Sequence, residues 1–202
     1  MNITLIGLGN IGRVLANGWI NAGHRLVVGR NSVGAENPLG TFATVTSTDQ
    51  ALAQHRDVAV LATPATAIEG ILTSYRPLLE HSVIIDATNS LTGPPTNPAN
   101  YQQALHQREL FSTLAPTAAH HRAFCSTGWE SLGTPGHTDV PHAGPKESHR
   151  LVGRLIQDLG QRGCWLGSDP AAFDTLDGVA RLWFRLALTQ GAGRQVGFRV
   201  SQ

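Results

Sequence analysis

The chain is expected to fold as a Rossmann-type α/β domain, a doubly wound parallel sheet with a small α/β lobe at its carboxyl end. Three observations predict this. The apolar run Asn2-Ile3-Thr4-Leu5-Ile6 leads straight into Gly7-Leu8-Gly9-Asn10-Ile11-Gly12, and a helical pattern opens at Arg13. A second apolar run, Arg25-Leu26-Val27-Val28-Gly29, follows once that helix is stopped by Asn21-Ala22-Gly23-His24. Further short apolar runs alternate with segments of helical spacing, which is the pattern of a parallel sheet covered on both faces.

The glycine stretch reads as a buried strand, a tight turn and a helix N-terminus. Gly7 permits the turn, Gly9 lets a pyrophosphate approach the backbone, and Gly12 allows the helix to sit close to the sheet. Leu8, Asn10 and Ile11 complete the loop. The first turn of the helix offers unpaired N–H donors and partial positive charge, which suits a diphosphate. Leu15, Ala16, Trp19 and Ile20 give that helix its buried face.

The end of the second strand distinguishes the two nicotinamide cofactors. NAD sites place Asp or Glu there for the ribose 2′-hydroxyl, whereas NADP sites present cationic or neutral donors to the 2′-phosphate. Here the residues are Gly29-Arg30-Asn31-Ser32. No carboxylate stands at the position, and Arg30 can stack on adenine or pair with phosphate oxygens. Glu36 is near but lies past it. NADP(H) is therefore the expected cofactor, held by Gly7 to Gly12 together with Arg30, Asn31 and Ser32.

Further along, residues 32–40 read as a loop, 41–45 as a third strand and 47–55 as a helix. Val58-Ala59-Val60-Leu61-Ala62 is a buried fourth strand that ends at Thr63-Pro64, where proline prevents the strand from continuing. Ala67, Ile68, Ile71, Leu72 and Tyr75 form a core-facing helical stripe. A fifth strand over 82–89 ends in Ala87-Thr88-Asn89. The two strand ends, Ala62-Thr63-Pro64 and Ala87-Thr88-Asn89, are expected to flank the nicotinamide ribose and carboxamide; alternatively Asp86 and Asn89 cap turns. Residues 90–100 form a loop, 101–114 a helix and 121–126 a sixth strand. A Gly/Pro/His-rich loop is expected over 133–145, a helix over 146–159, a last strand over 163–166 and a long helix over 172–190. The boundary is placed near Leu132, giving an NADP-binding domain at 1–132 and a small acceptor and dimerisation lobe at 133–202. The apolar stripe of the last helix is wider than a surface helix needs, which predicts a homodimer seam or a cover over the nucleotide cleft.

Composition excludes several classes. The 202 residues are 41% hydrophobic, carry a net charge of +1 and include only 14% charged side chains, so neither disorder nor a nucleic-acid surface is indicated. No apolar run is long enough to cross a bilayer and no signal peptide is evident, so the expected location is the cytoplasm. Cys125 and Cys164 make no disulfide framework. His120, His121, His137 and His142 match no metal spacing, and no metal is expected. Cys125 is a candidate nucleophile only if a base lies beside it; in a strand it reads as a small hydrophobe.

Several stretches together resemble the NADP oxidoreductases dependent on the deazaflavin coenzyme F420 and the bacterial dinucleotide-binding proteins grouped with them. They are Ile6 to Gly12, Ala22-Gly23-His24, Val27-Val28-Gly29-Arg30, Asp86-Ala87-Thr88-Asn89, Ala123-Phe124, Thr127-Gly128-Trp129-Glu130, Asp139-Val140-Pro141 and Gly197-Phe198-Arg199. The resemblance implies direct hydride exchange between NADPH and a deazaflavin, with the two rings stacked between a nucleotide lobe and a small C-terminal lobe. It places Cys125, Ser126, Thr127 and Trp129 at the acceptor pocket and names no acid/base catalyst. The sequence departs from the family pattern at Cys125, where Asn or His is usual, at Gly178, where an acidic residue is common, and at Gly144-Pro145-Lys146. These departures leave three readings of the acceptor side: a deazaflavin, a flavin or ferric chelate, or no acceptor at all in an NADPH-sensing protein.

Overall fold

Each apolar run becomes a strand, and the sheet follows from how they pair. In the computed structural model, which describes residues 1–31, 37–54 and 57–201, the strands are β1 (Asn2–Ile6), β2 (Arg25–Gly29), β3 (Ala43–Thr46), β4 (Val58–Leu61), β5 (Val83–Asp86) and β6 (Ala119–Arg122). They pair in the order β3-β2-β1-β4-β5-β6, and every pairing is parallel. This is the doubly wound order of a dinucleotide-binding sheet, which reverses direction between β1 and β4. The Rossmann fold read from the sequence is the fold of the protein.

The strands alternate faces with period two, so each sends its residues to two cores. On one face Ile3, Leu5, Val28, Val58, Val60 and Ile85 pack with Leu15, Ala16 and Trp19 of helix α1 (Asn10–Asn21). On the other, Ile6, Ala59, Leu61 and Ile84 meet Leu52 of α2 (Thr48–Ala53), Ile68, Ile71 and Leu72 of α3 (Ile68–Ser74), Leu79 of α4 (Arg76–Leu79) and Phe111 of α5 (Arg108–Leu114). The fully buried strands explain why their sequences read as apolar runs without alternation.

Several boundaries differ from the sequence reading. The helix expected over 101–114 is a 3-10 turn at Pro98–Tyr101 followed by α5. Between them the backbone N–H groups of Leu105 and His106 donate to the Asp177 carboxylate at 2.6 and 3.2 Å, so they cannot join a helical ladder. Strand β6 covers 119–122 instead of 121–126, because Phe124 adopts a positive φ of 64° that ends the extended run. After a short helix α6 (Trp129–Leu132), the loop expected over 133–145 contains a seventh strand, β7 (Asp139–His142), which pairs in parallel with β8 (Arg162–Trp165). Helix α7 (His149–Gln157) joins them as a right-sized crossover. The long last helix starts earlier than expected, at Pro170, because Asp169 caps it through the N–H of Ala172. It runs as α8 (Pro170–Phe184) into a wider turn over Arg185–Thr189.

Residues beyond Leu132 share the core of the nucleotide sheet. Val140, Val152, Leu155 and Ile156 lie in the same buried cluster as Ile3, Leu15 and Phe124. Arg122 and Ala143 exchange backbone hydrogen bonds at 2.9 and 3.0 Å, which fixes β7 antiparallel to the end of β6. The Trp19 indole N–H donates to the Leu155 carbonyl at 2.9 Å, tying α1 to α7. The apolar stripe of α8 is covered within the chain. Phe173 and Leu176 pack with Cys125 and Ala143, and Ala180, Trp183, Phe184 and Ala187 pack with Tyr101, Leu105, Val196 and Phe198. Much of the stripe from which a homodimer is expected is therefore occupied within the chain, while Leu182 stays exposed.

Candidate dinucleotide site

A cleft of about 500 Å³ opens at the carboxyl edge of the sheet, at the β1/β4 crevice. Open α/β sheets bind ligands at this point, where the chain leaves neighbouring strands in opposite directions. Its walls are Ile6 to Gly9 on one side, Gly29, Arg30 and Asn31 at the end of β2, Ala62-Thr63-Pro64 after β4, and Ala67, Gly70, Ile71, Ser74 and Tyr75 from the segment around α3.

The three glycines are needed for different reasons. Gly7 has φ +102°, and a Cβ there would lie 2.4 Å from the Ala62 carbonyl oxygen. Gly12 is forced by packing, since its Cβ would lie 2.3 Å from the Gly7 carbonyl oxygen. Gly9 meets no protein atom within 4 Å. Its openness leaves space over the backbone at the helix start, which is the room a diphosphate requires. Gly9 is also the residue that caps α1, with no side-chain hydrogen bond and no acidic residue in the first turn. The N–H groups of Asn10, Ile11 and Gly12 begin the helix with their dipole ends toward that space.

At the end of β2 the backbone is pinned by Gly7 N–H to the Gly29 carbonyl at 2.9 Å and Arg30 N–H to the Thr46 carbonyl at 3.1 Å. Arg30 and Asn31 reach the cleft; Ser32 and Glu36, weighed with them in the sequence, lie outside the described residues. Among the described lining residues none is a carboxylate. Asp49, just beyond the wall, is engaged by the Tyr75 hydroxyl, and this hydrogen bond, reinforced by burial, raises the Tyr75 pKa.

The other half of the expected site is arranged differently. Ala87, Thr88 and Asn89 do not line this cleft. Asp86 accepts the Thr88 N–H at 2.8 Å, so it caps the turn as the plainer reading expects. Asn89 does more: its amide donates to the Cys125 carbonyl at 2.8 Å and its oxygen accepts from Arg122 at 2.8 Å. Of the acceptor candidates, Cys125, Ser126 and Thr127 are buried and Trp129 is half-buried, and none lines the β1/β4 cleft. The Ser126 and Thr127 hydroxyls are buried without a hydrogen-bond partner among the described residues. Burial pushes the Cys125 thiol up to about 11, against the opposing pull of Arg122. It is a protonated thiol at neutral pH and no nucleophile.

The sequence reading missed two groups. Thr48, Gly70 and Ser74 complete the cleft wall, while Ile71 and Tyr75, read as core, also face it; helix periodicity alone does not separate a wall from a core. The second is Arg122, fully buried with Asp86 and Asp177 beside it. An arginine inside an apolar strand run needs buried partners, and that was the available signal. Of the four histidines considered as metal ligands, His121 bonds Ser148 at 2.7 Å, His137 bonds the Gln195 carbonyl at 2.6 Å, His120 stacks on Phe111 and His142 is buried near His121.

The glycine turn and the crevice meet at the carboxyl edge of the sheet, and on that basis the chain can be compared with known proteins. Residues 2–90 match the family described as NADP oxidoreductase coenzyme F420-dependent. The Thr127-Gly128-Trp129-Glu130 and C-terminal stretches, which resemble the same family, lie beyond the matched segment. Among solved structures, one from an Arthrobacter species with the provisional description F420-dependent NADP reductase has a TM-score of 0.81 and 19% identity, each chain covered completely. A reductive aminase from Aspergillus terreus in complex with NADPH has a TM-score of 0.64 and 22% identity, over 92% of this chain and 64% of that one. Pyrroline carboxylate reductase from Plasmodium falciparum, with NADP bound, has a TM-score of 0.60 and 16% identity, over 92% and 65%. At these identities the likeness is one of fold. No curated protein sequence matches the chain.

Proposed function

We propose that the protein is an NADP(H)-dependent oxidoreductase that transfers a hydride between NADPH and a flat redox acceptor, the deazaflavin coenzyme F420 being the acceptor the family match favours. The observation that carries the cofactor reading is the cleft itself: an open glycine at a helix N-terminus, with Arg30 and Asn31 opposite and no described carboxylate between them. The nicotinamide supplies the hydride when bound. The chain's residues bind and orient. Gly9 and the start of α1 receive the diphosphate, Arg30 and Asn31 receive the 2′-phosphate end, and Ala67, Gly70 and Ile71 offer an apolar slot for the adenine.

Hydride transfer between two carbons needs close, oriented contact and little proton transfer from the protein. A buried, protonated Cys125 fits that requirement, because it neither attacks nor donates readily. Cys125, Ser126, Thr127 and Trp129 stand as the acceptor-side residues; the unpartnered hydroxyls of Ser126 and Thr127 support this. A second reading, NADPH sensing without chemistry, is favoured by the burial of these same residues. Stopped-flow oxidation of NADPH against deazaflavin, flavin, quinone and ferric chelates separates them. The proposal expects turnover with the deazaflavin above all, and absence of turnover with the whole panel, in protein that binds NADPH, favours sensing.

A further inference from the structure

The buried network around Arg122 belongs to neither the cleft nor the core packing. Its guanidinium donates to the Thr88 carbonyl at 2.7 Å and to the Asn89 side-chain oxygen at 2.8 Å. It also lies 3.1 Å from Asp177 of α8 and 3.5 Å from Asp86. Asp177 uses its second oxygen for the N–H groups of Leu105 and His106 and for the His106 ring nitrogen at 2.9 Å. Asn89 passes the connection on to the Cys125 carbonyl. Three segments are thus held by one side chain: the carboxyl end of β5, the carboxyl end of β6 and the terminal helix.

The two carboxylates beside Arg122 differ in their surroundings. Burial opposes ionisation of both. At Asp177 the His106 hydrogen bond and Arg122 overcome it and hold the carboxyl below the usual range, whereas at Asp86 burial prevails over Arg122 and raises it. Asp177 is also the nearer of the two carboxylates to the guanidinium, at 3.1 Å against 3.5 Å, while Asp86 in addition accepts the N–H of Thr88. Such a pair is weak evidence of stabilisation, since an apolar replacement of similar volume often serves stability as well. What an apolar replacement could not do is fix a backbone carbonyl and an amide oxygen at stated points.

We infer that Arg122 is a positioning residue, which holds Thr88 and Asn89 at the β5 edge so that the nicotinamide half of the dinucleotide meets a fixed surface, and which registers that surface to the terminal helix. The inference rests on the dinucleotide reading above. The adenosine half occupies the β1 to β3 side of a doubly wound sheet and the nicotinamide half the β4 to β6 side, so Arg122 acts on the second half only.

Calorimetric titration of wild type, Arg122→Lys and Asp177→Asn with NADPH and with 2′,5′-ADP, which lacks the nicotinamide, tests it. Misplacement of the β5 edge should weaken NADPH about tenfold or more while 2′,5′-ADP stays within about twofold. Equal weakening of both ligands, or NADPH affinity within about twofold of wild type in both variants, overturns the inference. Failure of both variants to fold assigns the network to stability alone and also overturns it. Wild-type protein that binds neither ligand removes the dinucleotide reading and this inference with it; wild-type binding with undifferentiated variants removes this inference alone.

Discussion

At the scale of single residues, the two glycines that look alike in the motif have opposite constraints. Gly12→Ala places a methyl 2.3 Å from the Gly7 carbonyl oxygen, so the turn must open. We expect a loss of about 2–3 kcal/mol in stability, measured by urea unfolding, as for other overpacked sites. Gly9→Ala meets no protein atom, so its unfolding midpoint should stay near wild type while NADPH affinity falls about tenfold or more. A Gly9→Ala protein that binds NADPH normally would remove the diphosphate from that position. Arg30→Asp should weaken NADPH about a hundredfold and NADH far less, read from the two dissociation constants, because only NADPH brings a 2′-phosphate to be repelled. Equal losses for the two would reject the 2′-phosphate role. Gly7 and Gly12 were legible because each stands where a Cβ would meet a backbone oxygen within 2.4 Å, and Arg30 because it ends a strand that opens on the cleft. Arg122 was not, because its partners come from positions far apart in sequence, Asp86 and Asp177, that only the fold brings together.

Between elements, the contact most exposed to mutation is the one joining α1 to α7. Trp19 is fully buried, donates to the Leu155 carbonyl and meets the Phe124 ring edge-on at 5.9 Å. Trp19→Phe should cost about 1–3 kcal/mol by leaving that carbonyl without its indole donor, and Trp19→Ala about 3–5 kcal/mol through the cavity; chemical unfolding measures both. The junction of β6, β7 and α7 adds a pH dependence. His121 and His142 are pushed down to about 4, in each case first by burial and then by neighbouring histidines, His142 and His149 for the former and His149 for the latter. An unfolded histidine titrates near its ordinary value of about 6.5. Between those values the unfolded chain binds protons that the folded chain refuses, so stability is complete above about pH 6.5 and is lost as the pH falls toward 4, by up to about 3 kcal/mol per histidine. The thermal midpoint should drop through that window and do so less steeply in His142→Asn; an unchanged slope would contradict the assignment. The strands that carry this junction were only partly legible. Apolar runs announced β1, β2, β4 and β5, but β7 holds Asp139, Pro141 and His142, whose composition reads as loop and whose pairing comes from β8 and, through Ala143, from Arg122.

Over the whole molecule, the doubly wound order was legible because β1, β2, β4 and β5 are short apolar runs set among segments of helical spacing, which leaves few ways to bury both faces of the sheet. The relation of the last seventy or so residues to that sheet was less so. Their boundary near Leu132 marks a change of composition, while Val140, Val152 and Leu155 continue the same core. The wide stripe of α8, which invites a dimer, is filled by Tyr101, Leu105 and the C-terminal segment through Val196 and Phe198, contacts that periodicity cannot reveal. Leu182 remains exposed on that helix, and sedimentation at several concentrations measures whether a homodimer forms. No described helix is long and apolar enough to cross a membrane. The central claim is that the crevice between β1 and β4 binds a phosphorylated pyridine nucleotide. Isothermal titration of the purified protein with NADPH and with NADH tests it most directly: the account predicts heat consistent with one NADPH per chain and binding at least about tenfold tighter than NADH, and a titration without heat for either nucleotide, or with NADH preferred, would contradict it.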